Sequence, residues 1–221
     1  MTAESTITGL VAEMRAAAAA GPPNEVMAAF SREQAELAAS GVPAGVAAVG
    51  AEIWDASLVD ADGSPITLYA ATGGGAAVLV FYRGMWCPYC NIALSAYQRH
   101  LLPRLAERGI GLIAISPQRP DGSLSMQQKH DLSFTVVSDP GNVIARGLGI
   151  LTHPSDGARE AQLHLGLDLT TVNADGTIAL PMPTVVVLDA RHKVRWIDVH
   201  PDYSTRSEPQ QILEAIDALG L

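Results

Sequence analysis

The chain has 221 residues, 48% of them hydrophobic, which is enough to bury a sizeable core and suits one ordinary domain with an extension. Its 23 acidic residues against 14 Lys and Arg give a formal net charge of −9, and with no basic run this excludes a general attraction to nucleic acid or to anionic membrane. No stretch reaches the roughly 18 uninterrupted apolar residues of a spanning helix, and Met1 to Ala20 lacks the basic cluster and apolar core of a leader, so a soluble, cytoplasmic protein is expected.

From Ser5 to about Ala39, Leu10, Val11 and Met14, then Val26, Met27 and Phe30, recur at helical spacing on either side of Gly21-Pro22-Pro23. Two helices joined by a tight turn are expected, their apolar stripe capping the core or pairing with a second copy to form a homodimer. Ser40 to Gly45 reads as a linker, which divides the chain into an N-terminal helical extension, 1–45, and a main domain, 46–221. Ala51 to Leu58 and Pro65 to Tyr69 flank the turn signal Asp62-Gly63-Ser64 and predict a hairpin. Ala76 to Tyr82 is a continuous apolar run, the pattern of a central strand buried on both faces. A helix follows from Cys90 to near Gly109, then a strand at Ile110 to Ile115, a helix around Leu124 to Leu132, a strand at Phe134 to Val137 and a short helix at Val143 to Leu148. Thr184 to Leu188 and Lys193 to Val199 predict a closing hairpin, and Pro209 to Leu219 a terminal helix. Strands alternating with helices and ending on a hairpin describe a mixed-sheet α/β sandwich.

The only two cysteines, Cys87 and Cys90, stand in Trp86-Cys87-Pro88-Tyr89-Cys90 at the junction of the buried strand and a helix N-terminus. A disulfide between them would close a tiny loop and staple little, so their spacing points to reactivity. The helix end carries roughly half a positive charge, which stabilises a thiolate in its first turn, and the other thiol can close an internal disulfide. Zinc or an iron-sulfur cluster needs about four ligands, and no second CxxC or suitably spaced His completes a set, so no metal and no bound cofactor is expected, only an external thiol reductant. Histidines 100, 130, 164 and 200 read as solvated or packed groups.

The segment Phe81-Tyr82-Arg83-Gly84-Met85-Trp86-Cys87-Pro88-Tyr89-Cys90-Asn91 resembles the signature of peroxiredoxin-like proteins grouped with alkyl hydroperoxide reductases and thiol-specific antioxidants. Ser116-Pro117-Gln118, Ser138 to Asn142, Pro181 to Thr184 and Asp202-Tyr203 extend the resemblance to the C-terminus. It implies a thioredoxin-like, peroxiredoxin-like sandwich carrying the N-terminal helical extension. Laid on the family's Pro-x-x-x-Thr-x-x-Cys loop, Arg83 falls on Pro, Cys87 on Thr and Cys90 on the peroxidatic Cys, while the family's Arg before the last hairpin falls on Met182. The loop equally resembles the Trp-Cys-x-x-Cys of thioredoxins, facing a cis-proline at Met182-Pro183-Thr184. The leading expectation is therefore an antioxidant-type thiol-disulfide oxidoreductase acting on protein or small-molecule disulfides, with Cys87 the exposed, lower-pKa nucleophile and Cys90 the resolving thiol. The alternatives are a thiol peroxidase reducing hydroperoxides through Cys90, and a redox sensor without turnover. Either enzyme needs a thioredoxin- or glutathione-type reductant. Arg83, Trp86, Pro88, Tyr89, Pro183 and Thr184 are the candidate binding and positioning residues, with Met182-Pro183 expected cis.

Overall fold

The computed structural model describes residues 6–21 and 24–221, without the side chains of 122–125. The main sheet has seven strands: β1 (Ser57–Asp60), β2 (Pro65–Thr67), β3 (Ala77–Phe81), β4 (Gly111–Ser116), β5 (Thr135–Ser138), and, after the small pair β6 (Leu151–Thr152) and β7 (Leu180–Pro181), β8 (Thr184–Leu188) and β9 (Val194–Val199). The order is β2-β1-β5-β4-β3-β8-β9. The pairs β3/β4 and β4/β5 are parallel and the others antiparallel. The sheet is thus mixed, with a parallel centre built by strand-helix-strand crossovers and antiparallel hairpins at both edges.

Strand β3 is central and every residue of it is buried. Val78 and Val80 join one core with Tyr82, Leu112, Ala114, Val185 and Val187, whereas Ala77, Leu79 and Phe81 join a second core with Ile113, Ile115, Val186 and Leu188. Period-two alternation with both faces covered explains why this strand reads as an unbroken apolar run. The first core takes its other layer from α4 (Pro88–Ala96) and α10 (Pro209–Leu219), and the second from Ile144, Ala145 and Leu148 around α7 (Val143–Gly147). The remaining helices are α1 (Ile7–Ala19), α2 (Glu25–Ser40), α3 (Leu68–Ala71), α5 (Leu102–Ala106), α6 (Pro120–Lys129), α8 (Asp156–His164) and α9 (Leu169–Val172).

The helix expected from Cys90 to near Gly109 is not uniform. Pro103 has no N–H to give to the preceding turn, and a π turn at Tyr97–Leu101 absorbs the break before α5 resumes. Helices α1 and α2 match the two expected at the N-terminus, although Pro22 and Pro23 of the expected turn lie outside the described residues. Ile7 and Val11 are buried in the first core, so α1 caps the protein's own body. Helix α2 turns Ala29, Glu33 and Gln34 inward. Glu33 Oε1 accepts from the N–H of Ser155, the N-cap of α8, at 2.6 Å. The α8–α9 arm between β6 and β7 has no counterpart in the sequence reading, because the inward face of α8 is Ala158, Ala161 and Gln162 and carries no large apolar stripe.

The Met182-Pro183 bond was expected cis and is trans, as are all peptide bonds among the described residues. The chain here runs extended from β7 straight into β8. Met182 donates its N–H to Ile150 O at 2.7 Å, and Pro183 O accepts from His200 at 2.9 Å. Ladder bonds on both sides leave no room for a turn at this point.

The linker is fixed by a close backbone approach. Gly149 has φ +72°, and a Cβ there would run into the carbonyl of Gly45, whereas a Cβ on Gly45 would meet nothing within 4 Å. Gly149→Ala should therefore destabilise by about 2 kcal/mol or more in denaturant unfolding, while Gly45→Ala stays within about 0.5 kcal/mol of the parent. Equal stability of the two variants would contradict this packing.

Candidate functional site

The site grows from the end of β3. After Phe81 the chain passes Arg83 and turns at Gly84, whose φ of +150° and lack of a side chain leave room for Trp86 and Gln118; a Cβ there would lie 2.8 Å from Gln118 Oε1. Gln118, buried beyond β4, accepts the Met85 N–H at 2.6 Å and so pins the loop. Cys87 is the N-cap residue of α4 but its side chain makes no capping bond, and Pro88 occupies the first turn, where its missing N–H costs nothing. Cys90 then falls in that first turn, its N–H 3.1 Å from Cys87 O.

Both sulfurs are buried, with Cys87 1% and Cys90 0% exposed. They are free thiols in hydrogen-bond contact, Cys87 donating to Cys90. Arg206, itself buried, places Nη2 3.0 Å from Cys90 Sγ and gives Nη1 to the carbonyls of Tyr203 and Thr205 at 2.6 Å each. Burial pushes the Cys90 thiol up, but the Cys87 hydrogen bond, the Arg206 charge, the backbone N–H of Arg83 and the Arg83 charge outweigh it and hold Cys90 well below the ordinary thiol range. Burial, the bond it gives to Cys90 and the charge on Cys90 push Cys87 well above that range. The Cys87 hydrogen bond and the Arg206 charge thus favour the thiolate on Cys90 and the proton on Cys87.

This overturns the expectation that Cys87 would be the exposed thiol of lower pKa. Position relative to the helix end favours both residues, and the deciding charge comes from a residue 116 positions from Cys90 in sequence. Arg206 carries no local signal, since it is one Arg in a polar loop; the cation beside Cys90 comes from beyond β9. Tyr97 OH and a network of His200, Asp198 and Ser207 hold that loop, with Ser207 O 2.8 Å from the tyrosine and Ser207 Oγ 2.8 Å from Asp198.

Of the other predicted residues, Arg83, Trp86, Pro88 and Tyr89 gather around Cys87. The Arg83 guanidinium lies 3.7 Å from the Tyr203 ring centre and 5.1 Å from that of Trp86, and its Nε is buried without a hydrogen bond. Trp86 is half-buried and both packs on the core and borders a groove, so its two readings hold together. Tyr89 OH accepts from Gln34 of α2 at 3.2 Å. Pro183 and Thr184 are not brought to this groove; Thr184 is buried opposite Phe81 in the sheet and donates its hydroxyl to Met182 O at 2.9 Å.

The groove, about 1010 Å³, runs between α1, α2, the CxxC loop and the end of α8. Cys87 borders it and Cys90 lies behind. Its walls are mainly apolar, with Met14, Met27, Phe30 and Leu165 opposite Trp86. Among the described residues no group of three His, Cys, Asp or Glu could hold a metal ion, and no helix is long and apolar enough to cross a membrane.

Comparison with known proteins bears on the family and the fold. The family model described as AhpC/TSA matches residues 49–197. A relative named as a peroxiredoxin bcp, from Coxiella burnetii, is 27% identical over 116 residues, covering 52% of this chain and 74% of its own. Among solved structures, peroxidoxin BcpB of Mycobacterium tuberculosis is 18% identical with a TM-score of 0.59, covering 77% of this chain and 97% of its own. A cysteine-to-serine mutant of peroxiredoxin 6 of Arenicola marina is 17% identical with a TM-score of 0.61, covering 79% of this chain and 74% of its own. These neighbours share the mixed-sheet thioredoxin-type fold.

Replacing Arg206 with Met removes the charge beside Cys90 and should raise its pKa, moving the rise of thiolate absorbance near 240 nm and the onset of alkylation to higher pH. Arg206→Lys should recover part of the shift. An unchanged titration in Arg206→Met would show that the guanidinium does not set the thiolate.

Proposed function

Because the chain belongs to the AhpC/TSA family, we propose that it is a thiol peroxidase in which the Cys90 thiolate attacks hydroperoxide and Cys87 resolves the product. The Arg206 guanidinium 3.0 Å from Cys90 Sγ carries this reading, since it holds the reactive form of that sulfur in a buried site. In the first step Cys90 Sγ bonds to the terminal peroxide oxygen and the O–O bond breaks. The departing alkoxide takes a proton and leaves as alcohol, and Cys90 becomes a sulfenic acid. Arg206 and Arg83 are the cations within reach of the negative charge that develops on oxygen. Cys87 then loses its proton and attacks the Cys90 sulfur, expelling water and forming the internal disulfide. An external thiol restores the dithiol, no resident cofactor takes part, and the need for reduced cysteines fits a cytoplasmic setting.

A second reading, thiol-disulfide exchange with Cys87 as the attacking sulfur, is favoured by one observation: Cys87 borders the groove and Cys90 does not. Sulfenic-acid trapping separates the two. With stoichiometric hydroperoxide, Cys87→Ser should still form a trappable sulfenic acid on Cys90, faster than a free thiol reacts, while Cys90→Ser should fall to the free-thiol rate. Parent protein should turn over repeatedly with dithiothreitol, as a sensor oxidised once would not. If Cys87→Ser is instead inert to hydroperoxide while the parent protein turns over a disulfide substrate, the exchange reading replaces the peroxidase.

A further inference from the structure

The groove's single reactive border identifies what reduces the oxidised site, an inference that rests on the Cys87–Cys90 disulfide cycle proposed above. We propose that the reductant is a low-molecular-weight thiol carrying negative charge, which enters the groove and attacks Cys87, and that a protein dithiol is excluded by the α1–α2 hairpin.

The exclusion is steric. An attacking thiolate must approach a disulfide sulfur along the S–S axis, and of the two cysteines Cys87, though buried, is the one that borders the groove. A protein dithiol presents its sulfur on a broad surface, and that surface would have to displace the hairpin. Four contacts hold the hairpin down: Glu208 accepts the N–H groups of Ile7 and Thr8 at 3.0 and 2.8 Å, Gln34 binds Tyr89, Tyr203 OH donates to Phe30 O at 3.4 Å, and Glu33 binds Ser155. A groove of about 1010 Å³ is at the upper end of those that enclose small molecules.

The charge assignment comes from Arg15 and Arg83. In a chain of net charge −9, neither is in an ion pair among the described residues, and both line the groove. Arg15 donates to Gln34 Oε1 at 2.6 Å and lies 5.7 Å from the Tyr89 ring centre; Arg83 keeps a buried, unpartnered Nε. Among the described residues Asp202 is the one acid on the lining, and its Oδ1 accepts from the N–H and hydroxyl of Ser204. A guanidinium with no carboxylate partner on a mainly apolar wall favours a carboxylate-bearing guest.

The chemistry balances. A thiolate RS⁻ forms a bond to Cys87 Sγ as the Cys87–Cys90 bond breaks, and the electron pair leaves on Cys90, where Arg206 receives it. A second RS⁻ attacks the guest sulfur of the mixed disulfide, giving RSSR and releasing Cys87, which takes a proton. Two thiols are oxidised and one disulfide is reduced. Attack at Cys87 is favoured because the better stabilised thiolate is then the leaving group.

The test uses the full chain, oxidised to its disulfide. Dithiothreitol should return both thiols; if no Cys87–Cys90 disulfide forms, or dithiothreitol cannot reduce it, the proposed cycle itself fails. Given that control, reduced glutathione and 3-mercaptopropionate should reduce the site, and a reduced thioredoxin at equal thiol concentration should be slower. A faster thioredoxin overturns the inference and leaves the cycle standing. Arg15→Glu should slow 3-mercaptopropionate about three- to tenfold relative to 2-mercaptoethanol, and an unchanged ratio overturns the charge assignment. Oxidised glutathione should add to Cys87 in Cys90→Ser and leave Cys90 unmodified in Cys87→Ser; comparable addition at Cys90 would overturn the route of attack.

Discussion

The site depends on one buried contact, the guanidinium of Arg206 against the sulfur of Cys90, whose thiolate that charge favours. Neither ion could be withdrawn from water alone, since a buried charge without a partner costs several kcal/mol. The pair is therefore built with its surroundings satisfied: two carbonyls take the other donors of Arg206, and Cys87 and the Arg83 N–H give to the sulfur. Those carbonyls belong to Tyr203 and Thr205, so the loop beyond β9 must adopt one conformation for the thiolate to exist. The hydroxyl of Tyr97 and the Asp198–Ser207 bond fix that conformation from the sheet side.

The same loop holds the N-terminal hairpin. Two residues past Arg206, Glu208 is both the N-cap residue of α10 and the acceptor for the first N–H groups of α1. A carboxylate at that helix end answers its unpaired donors and its dipole together. Tyr203, stacked under the Arg83 guanidinium, reaches Phe30 of α2. The segment from Tyr203 to Glu208 thus sets the ionisation of the sulfur and the position of the helices that roof it.

The parts of this arrangement that were legible in the sequence are those made by neighbours in the chain. The β3 run, the CxxC at the start of α4, the β8–β9 hairpin and α10 all announce themselves by period or by local punctuation, and their observed limits agree. What could not be read is made by contacts between distant segments. Arg206 lies 116 positions from Cys90, Gln34 lies 55 from Tyr89, and Glu33 lies 122 from Ser155. Helix α8 hid for another reason: its packing face is alanine and glutamine, so it shows no hydrophobic stripe. The cis expectation at Met182-Pro183 rests on analogy with a loop, whereas the hydrogen bond Met182 gives to Ile150 and the one Pro183 accepts from His200 keep that stretch extended.

The order of roles within the CxxC follows from where the cation stands. A helix N-terminus by itself favours the outer cysteine, whose sulfur is free to approach the unpaired N–H groups. Here Arg206 reaches the site from the core side and touches the inner sulfur, and Cys87 serves as the donor to Cys90 rather than as a second anion. One placement then serves both halves of a redox cycle. In the cycle proposed above it would hold Cys90 as the nucleophile of the dithiol and make Cys90 the better leaving group of the disulfide, directing an incoming thiol to Cys87 on the groove side. The two sulfurs are chemically alike and differ by one helical turn, and the asymmetry that a directed cycle needs is imposed on them by a single side chain from the far end of the chain.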